Sequence, residues 1–360
     1  MVNVWCVDVV EDKESVSGYM HFLERSSLAN AFQSRQFYRL WRKIGWDPFV
    51  LTVVNGENCC GGLLAYVPHS IPVVSQVFLR AFVYFGPLVE PPNNTKVLDL
   101  LLSSLCVKAK RQGAMRIDVR APILFSQQGE VFSRNGFVRY DVGGEYSVHI
   151  NLRREVDALW KDVKRGCRKR VRRAIRKGII VKNVETVQEL KEFYQIYLMT
   201  APRRDFFPYP FQFFEFLWKQ LEPRGLAQLL IALNNRSVIA GRVNVKFRGK
   251  VTTFVSCSLK ESWKLNPNHA LLWHSIVKSK EENAHTFSIM HLQSSKPKAS
   301  DEIDYYTFKT SFGGSLVNES TFYYRVVSPV KFHLFRGISN LLEKQAQVLQ
   351  RIRYSARLKN

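Results

Sequence analysis

The feature that most constrains the fold is a repeated order of elements along the chain. Residues 49–54 and 61–67 read as strands joined across Asn55-Gly56, a pair that tolerates the positive φ of a tight hairpin. A strand at 78–85 closed by Gly86-Pro87, a helix at 96–111, a strand at 115–120, a short helix at 129–134 and strands around Phe137 and Tyr146 follow. Ahead of them, 34–44 reads as a helix, with Phe37, Leu40, Trp41 and Ile44 at three- and four-residue spacing. The second half gives a hairpin of 226–233 and 237–247 across Asn234-Asn235, a strand at 251–258, a helix at 268–282, a strand at 287–292, a helix at 305–312 and a strand at 322–327. Helices at 155–177, 187–199 and 210–221 precede it. The two series are offset by roughly 180 residues, the mark of a duplicated α/β unit.

A chain of 360 residues suits two such units. The expected division is 1–150 for the first, 151–330 for the second, and a basic helical segment at 331–360 that packs on the first. With 46% hydrophobic residues there is material for two cores, which excludes a disordered chain. Lys and Arg number 53 against 30 Asp and Glu, a net charge of +23 that favours a polyanionic partner. The six cysteines form no C-x-x-C pair and have no ligand neighbours at metal spacing, as for reduced thiols in a cytosolic protein. The N-terminus lacks the pattern of a signal peptide. The apolar stretch 71–89 is interrupted by Pro72, Arg80 and Pro87, so it reads as strands and not as a membrane span. The expected location is cytoplasmic, with peripheral association at the inner membrane face as a further option.

Two local signals stand out. Residues 161–177 contain ten basic residues and one acid, with Val163, Cys167, Val171 and Ala174 spaced to face a core. Arg165, Arg168, Lys169, Arg172, Arg173 and Arg176 cover the remainder, a face suited to phosphates; a solvated face paired with distant acids is the competing reading. The second signal is Asp304-Tyr305-Tyr306-Thr307-Phe308-Lys309-Thr310-Ser311-Phe312-Gly313-Gly314, where Phe308 and Phe312 share a helix face and the glycines end it. By composition alone, Lys309 is one more surface lysine. The aromatic run from Phe206 to Phe214 reads as a loop entering a core-facing helix, with Arg203, Arg204 and Asp205 just before it at the mouth of a cleft.

The order of three antiparallel strands, helix and further strand is that of the GNAT acyltransferase fold. Four stretches resemble the FemABX family: Phe32-Gln33-Ser34 with Trp41; Tyr84-Phe85-Gly86-Pro87-Leu88-Val89 with Pro91-Pro92; the basic run from Trp160 to Gly178; and Tyr306-x-Phe308-Lys309-x-x-Phe312-Gly313-Gly314. The sequence departs from that family at His291-Leu292-Gln293-Ser294-Ser295, where a D-x-x-G-like step is usual. The resemblance implies two tandem GNAT-like domains with mixed α/β sheets. It also implies transfer of an amino acid from aminoacyl-tRNA to an amine, on a cell-envelope (peptidoglycan) precursor or a similar anionic or phosphorylated acceptor. On this reading Lys309, with Tyr305, Tyr306 and Asp304, carries the chemistry, Phe308 and Phe312 line the cleft, and the basic helix holds tRNA.

No bound cofactor and no metal are expected; the co-substrate is aminoacyl-tRNA or, in the nearest rival reading, acyl-CoA. The glycine-rich loop that cradles a CoA pyrophosphate is missing ahead of either long helix, and Asn266-Pro267-Asn268 is the nearest position. A second rival is a non-enzymatic polyanion- or membrane-surface-binding module on the same scaffold. No nucleophile elbow, Walker loop or dinucleotide fingerprint is present.

Overall fold

The protein is described from a computed structural model over residues 5–10, 16–56, 58–68, 78–140, 145–204, 206–295, 297 and 300–338. In the first half, β1 (Trp5–Val10), β2 (Asp47–Asn55) and β3 (Asn58–Val67) form an antiparallel meander with α1 (Val16–Arg25) and α2 (Arg35–Lys43) between its first two strands. β4 (Arg80–Tyr84), a short β5 (Leu88–Val89), α3 (Thr95–Arg111), β6 (Arg116–Pro122), α4 (Gly129–Arg134), β7 (Val138–Arg139) and β8 (Glu145–Asn151) follow. The second half opens with α5 (Val156–Asp162), α6 (Arg165–Arg176), β9 (Ile180–Asn183), α7 (Val187–Arg204) and α8 (Phe211–Phe216). It continues with β10 (Ala227–Asn234), β11 (Ser237–Phe247), β12 (Lys250–Ser258), α9 (Pro267–Glu281), β13 (Thr286–Leu292), α10 (Ser300–Thr310), β14 (Ser315–Val326) and a helix α11 at 329–338.

All fourteen described strands join one sheet, ordered β1-β2-β3-β4-β6-β14-β8-β13-β12-β11-β10-β9 along its main path. The halves exchange their last strands: β14 pairs with β6 of the first half, β8 pairs with β13 of the second, and the two pair with each other at the centre. One apolar cluster runs across both halves on one face of the sheet. It joins Tyr19, Phe37 and Trp41 of α1 and α2 to Phe193, Phe213 and Phe254 of the second half. Trp41 is 2% exposed and stacks on Trp46 with ring centroids 4.8 Å apart; a side chain of that size buries enough apolar area to contribute on the order of 3 kcal/mol. On the opposite face, α3 covers the first half, while α6 and α9 cover the second.

The Phe32-Gln33-Ser34 stretch has a clear physical role. Gln33 is fully buried; its amide donates to the carbonyls of Leu64 (3.2 Å) and Tyr84 (2.7 Å), and its oxygen accepts from Leu64 N (2.7 Å) and Tyr19 Oη (2.7 Å). It thereby satisfies backbone groups that the separating strands leave open. Ser34 is the N-cap of α2.

Several expectations change in detail. The predicted helix 155–177 is two helices broken at Val163-Lys164, where the backbone is extended and Lys164 N donates to Ser311 O (2.9 Å). Arg168 caps the end of α5 by donating to the carbonyls of Trp160 (3.2 Å), Lys161 (2.9 Å) and Val163 (2.6 Å). No glycine or proline marks that break, so helical periodicity ran through it. The helix expected at 210–221 ends at Phe216 and passes into a π turn at Leu217–Leu221. The last helix starts five residues earlier than expected, at Ser300, and the last strand starts at Ser315 instead of 322. β1, α1 and β9 were not anticipated. Of the expected basic tail, α11 packs on the first half: the Phe335 ring lies 5.4 Å from Phe78, Arg80 lies over it, and Lys331 donates to Gly113 O (3.1 Å). The remainder of the tail, 339–360, and residues 71–77 of the apolar stretch fall outside the described residues.

Candidate active site

The sheet opens between β12 and β13. β12 and β13 are parallel neighbours, but only Lys250–Thr252 and Thr286–Ser288 are in register. Beyond them β13 bulges: Met290 N donates to the side chain of Thr253 (2.9 Å) instead of a strand carbonyl, and His291 takes a left-handed φ of 70°. A non-glycine residue held there signals a constraint imposed by its surroundings. The ladder ends here: among the described residues the strands are linked beyond it only by the Thr253 side chain and by the His291 ring against Phe254 O (3.3 Å), and their unpaired C-terminal ends form a notch.

Lys309 sits at the base of that notch. It is 5% exposed, and its ammonium donates to the carbonyls of Met290 and of His291 (3.2 Å), the two residues of the bulge. The Tyr305 ring lies 4.0 Å from the same nitrogen, and the Arg204 guanidinium lies 5.3 Å from that ring. Burial lowers the Lys309 pKa, and Tyr305 partly restores it. Burial raises the Tyr305 hydroxyl, but Lys309, Arg204 and Arg242 outweigh it and hold the phenol below its ordinary value. The glycines that end the motif are needed for closeness. Gly314 has a φ of 87°, and a Cβ there would overlap the carbonyl of His149 on β8.

On the other side of the bulge lies a buried ion pair. Glu145 Oε2 is 2.6 Å from Arg120 Nη1; its Oε1 accepts from His291 N (3.2 Å) and lies 3.1 Å from His291 Nδ1. Burial pushes the Glu145 carboxyl up, yet Arg120, His291 and Lys309 together draw it down to about 2. Arg120 is packed under Tyr84, Phe85 and Phe322 at 4.3, 5.2 and 4.9 Å. Glu145 comes from β8, Arg120 from β6 and His291 from β13, so the strand exchange is what assembles the pair.

The other residues singled out in the sequence are distributed as follows. Tyr306 and Phe308 are half-buried against the core under α10, Phe312 is fully buried there, and Asp304 is exposed. Arg203 donates to Thr200 Oγ1 (3.0 Å) and Ser258 O (2.6 Å) and lies over Trp263, at the rim of the notch. Asp205 lies outside the described residues. On α6, Arg168 is committed to the cap and Arg172 lies over Trp160 (5.6 Å). Arg165, Lys169, Arg173 and Arg176 are exposed and make no ion pair among the described residues. Among the described residues no cluster of His, Cys, Asp and Glu is arranged to hold a metal, and no helix is long and apolar enough to cross a membrane.

Sequence reasoning missed Arg120, Glu145, His291 and Arg242. Arg242 had a usable signal, a cation inside the apolar run 238–245 of a central strand. Arg120 and Glu145 had none, because their pairing depends on strands exchanged between halves.

Residues 161–299 match the acetyltransferase (GNAT) domain family. No curated protein matches the chain. Among solved structures, FemX is similar over 91% of this chain and 99% of its own, at 14% identity and a TM-score of 0.68. A tandem GNAT protein from the clavulanic acid biosynthesis pathway is similar over 90% and 99%, at 12% identity and a TM-score of 0.62. The C-terminal domain of a putative lysylphosphatidylglycerol synthetase from Agrobacterium fabrum follows, over 88% and 94%, at 14% identity and a TM-score of 0.51. The fold is therefore the tandem GNAT fold in a FemX-like arrangement, and the family match falls within its second half.

Proposed function

We propose that the chain is an acyltransferase of FemABX type, which moves an aminoacyl group from tRNA to an amine of a cell-envelope precursor or a similar phosphorylated acceptor. The observation that carries this reading is the notch between β12 and β13, the one described opening between parallel strands, with the buried Lys309 at its base. The step needs a neutral amine to attack the ester carbonyl; the C–N bond forms, the C–O bond to the ribose breaks, and the alkoxide takes the proton that the amine loses. Holding the two reactants in register supplies several kcal/mol of the required acceleration. Lys309 is fixed by two carbonyls and carries a further N–H, and a cation so placed stabilises charge that develops on the carbonyl oxygen or on phosphates. Its partner Tyr305 is held below its ordinary pKa and is the nearest group able to relay a proton. The exposed cations of α6, Arg165, Lys169, Arg173 and Arg176, are a face for tRNA phosphates.

Acyl-CoA remains the rival donor on the strength of the acetyltransferase domain match. Its pyrophosphate would sit at the start of α9, where Asn266 is left-handed and Pro267 has no N–H to donate. The test is transfer of radiolabelled amino acids from charged tRNA to a nucleotide-linked peptidoglycan precursor, with acetyl-CoA run in parallel. Lys309→Met is expected to lower turnover by about two orders of magnitude. Full turnover by that variant would remove Lys309 from the chemistry, and transfer from acetyl-CoA alone would replace the donor.

A further inference from the structure

Arg242 lies in the middle of β11, opposite Leu230 of β10 and Ser256 of β12. Leu230 packs against Ala270 and Leu271 of α9, which puts Arg242 on the α9 side of the sheet, the side that also carries α10 with Tyr305 and Lys309. The residue is 3% exposed. Its Nε is buried with no partner, and no hydrogen bond or ion pair to its guanidinium is formed among the described residues. Burial brings it down to about 10, against the upward pull of Tyr305 and Cys257, the groups that act on it electrostatically. A buried guanidinium with unused N–H groups is costly, and native structures keep one where something else will occupy it.

Among the described residues the neighbourhood supplies no anion to do so. Its charged neighbours Lys309, Arg203 and Arg204 are cations, held by the bulge carbonyls, by Ser258 and Thr200, and over Tyr305, and offer it no counter-charge. Glu145, the carboxylate that acts on Lys309, is committed to Arg120 and His291. Ser256, directly across from Arg242 on the edge of the notch, is exposed, so the arginine lies one strand in from solvent.

The two halves sharpen the point. The hairpins β2-β3 and β10-β11 carry a bulge at matching places, after Val53↔Gly61 and after Ala232↔Ala240. Counting two residues along from each brings Leu63 opposite Leu51 and Arg242 opposite Leu230. In the first half that position is a fully buried leucine in the core under α3. The second half puts an arginine with no partner among the described residues where the fold is content with a leucine.

We propose that Arg242 is the floor of a phosphate-binding subsite in the notch, with Ser256 at its edge, and that it holds a phosphate or phosphodiester of the donor. The subsite belongs to the cleft assigned to acyl transfer and rests on that reading for the identity of the donor. The planar fork of Arg242 suits bidentate contact with a phosphate, and the flanking Arg204 and Lys309 favour a multiply charged oxyanion over a single carboxylate.

The test is thermal unfolding of the full chain and of Arg242→Leu and Arg242→Lys at constant ionic strength. The probes are inorganic pyrophosphate, acetate, CoA and the trinucleotide CCA that ends tRNA. The wild type is expected to gain several degrees with pyrophosphate and not with acetate. Arg242→Leu is expected to fold, since leucine serves at the matching place, and to lose that gain; Arg242→Lys is expected to bind the probe at least tenfold more weakly by titration calorimetry. A tighter response to CCA than to CoA supports both the subsite and the tRNA donor. A tighter response to CoA keeps the subsite and sinks the tRNA donor. An equal gain in wild type and Arg242→Leu, an equal response to acetate, or no response to any phosphate overturns the subsite.

Discussion

The two halves share a hairpin, a bulge and a helix over the same strand, yet they differ at the joint where an acyltransferase would work. In the first half the parallel strands β4 and β6 stay paired over five residues, from Arg80↔Arg116 to Tyr84↔Arg120. In the second, β12 and β13 part after three. The position behind the joint is Leu63 in the closed half and Arg242 in the open one. One copy of the unit has thus kept a continuous core, and the other carries the cleft. The largest effect expected from this contrast is that of Leu63→Arg. With no notch to receive it, an unpaired charge in the core under α3 costs about 3–5 kcal/mol, read as a fall in the urea midpoint or as loss of soluble protein. The opposite exchange, Arg242→Leu, is expected to leave the unliganded protein at least as stable. A first half that accepts arginine without loss would show that it too has an opening.

The shared part of the design is tested by glycine. Gly62 and Gly241 follow the two bulges by one residue, and each lies under an aromatic ring of the covering helix. A Cβ on Gly62 would come within 2.7 Å of the Tyr19 ring and 2.8 Å of Leu51 O; one on Gly241 would overlap the Phe193 ring. Gly62→Ala and Gly241→Ala are each expected to destabilise by about 2–3 kcal/mol in urea unfolding, because neither ring can retreat from a filled core. A large loss at one site and none at the other would break the equivalence of the halves.

Much of this frame was legible in the sequence, and the reason is local. Hairpins announce themselves through turn chemistry at Asn55-Gly56 and Asn234-Asn235, and α3 and α9 through periodic apolar residues between clear ends. The extra strand β1 and helix α1 were not legible, because 5–25 mixes polar and apolar residues without a sustained period of either kind. Lys309 was found through the motif around it, but composition could not tell a surface lysine from one held by the carbonyls of a bulge. The Arg120–Glu145–His291 group was out of reach for a deeper reason. Its members lie on strands that neighbour one another only after β8 and β14 have crossed between halves, and pairing of distant strands leaves no local trace.

That crossing is also the place where the halves should separate first in acid. Glu145 on β8 is held at about 2 against the upward push of burial, chiefly by Arg120. Glu319 on β14 is held at about 2 in the same way, by His149 and Lys250, and it also accepts from Ser288 Oγ (3.2 Å). A carboxyl depressed in the folded state contributes stability that is complete above its unfolded value near 4.5 and is lost as pH falls towards 2. Each is expected to contribute about 2 kcal/mol across that window. The urea midpoint of the wild type should therefore fall between about pH 4.5 and 2, and Glu145→Gln/Glu319→Gln should start lower at pH 7 and fall less. Parallel pH curves for the two proteins would move the acid sensitivity out of the strand exchange.

The smallest effect is expected from the residue that most resembles Lys309 by position in the first half. Arg134 stands three residues before the buried Phe137 as Lys309 stands three before the buried Phe312, each near the end of its helix, α4 leading to β7 and α10 to the exchanged β14. Arg134 has no notch to face. Its side chain is 57% exposed and pairs with Asp99 at 2.8 Å, a surface ion pair of the kind that contributes about 0.2–0.5 kcal/mol and is screened by salt. Arg134→Ala should shift the thermal midpoint by about one degree or less and leave transfer unchanged. Lys309→Met, at the matching step of the other half, should lower transfer by about two orders of magnitude. Equal loss of transfer from both variants would mean that the first half takes part in the chemistry, and the division into a closed and an open unit would fail.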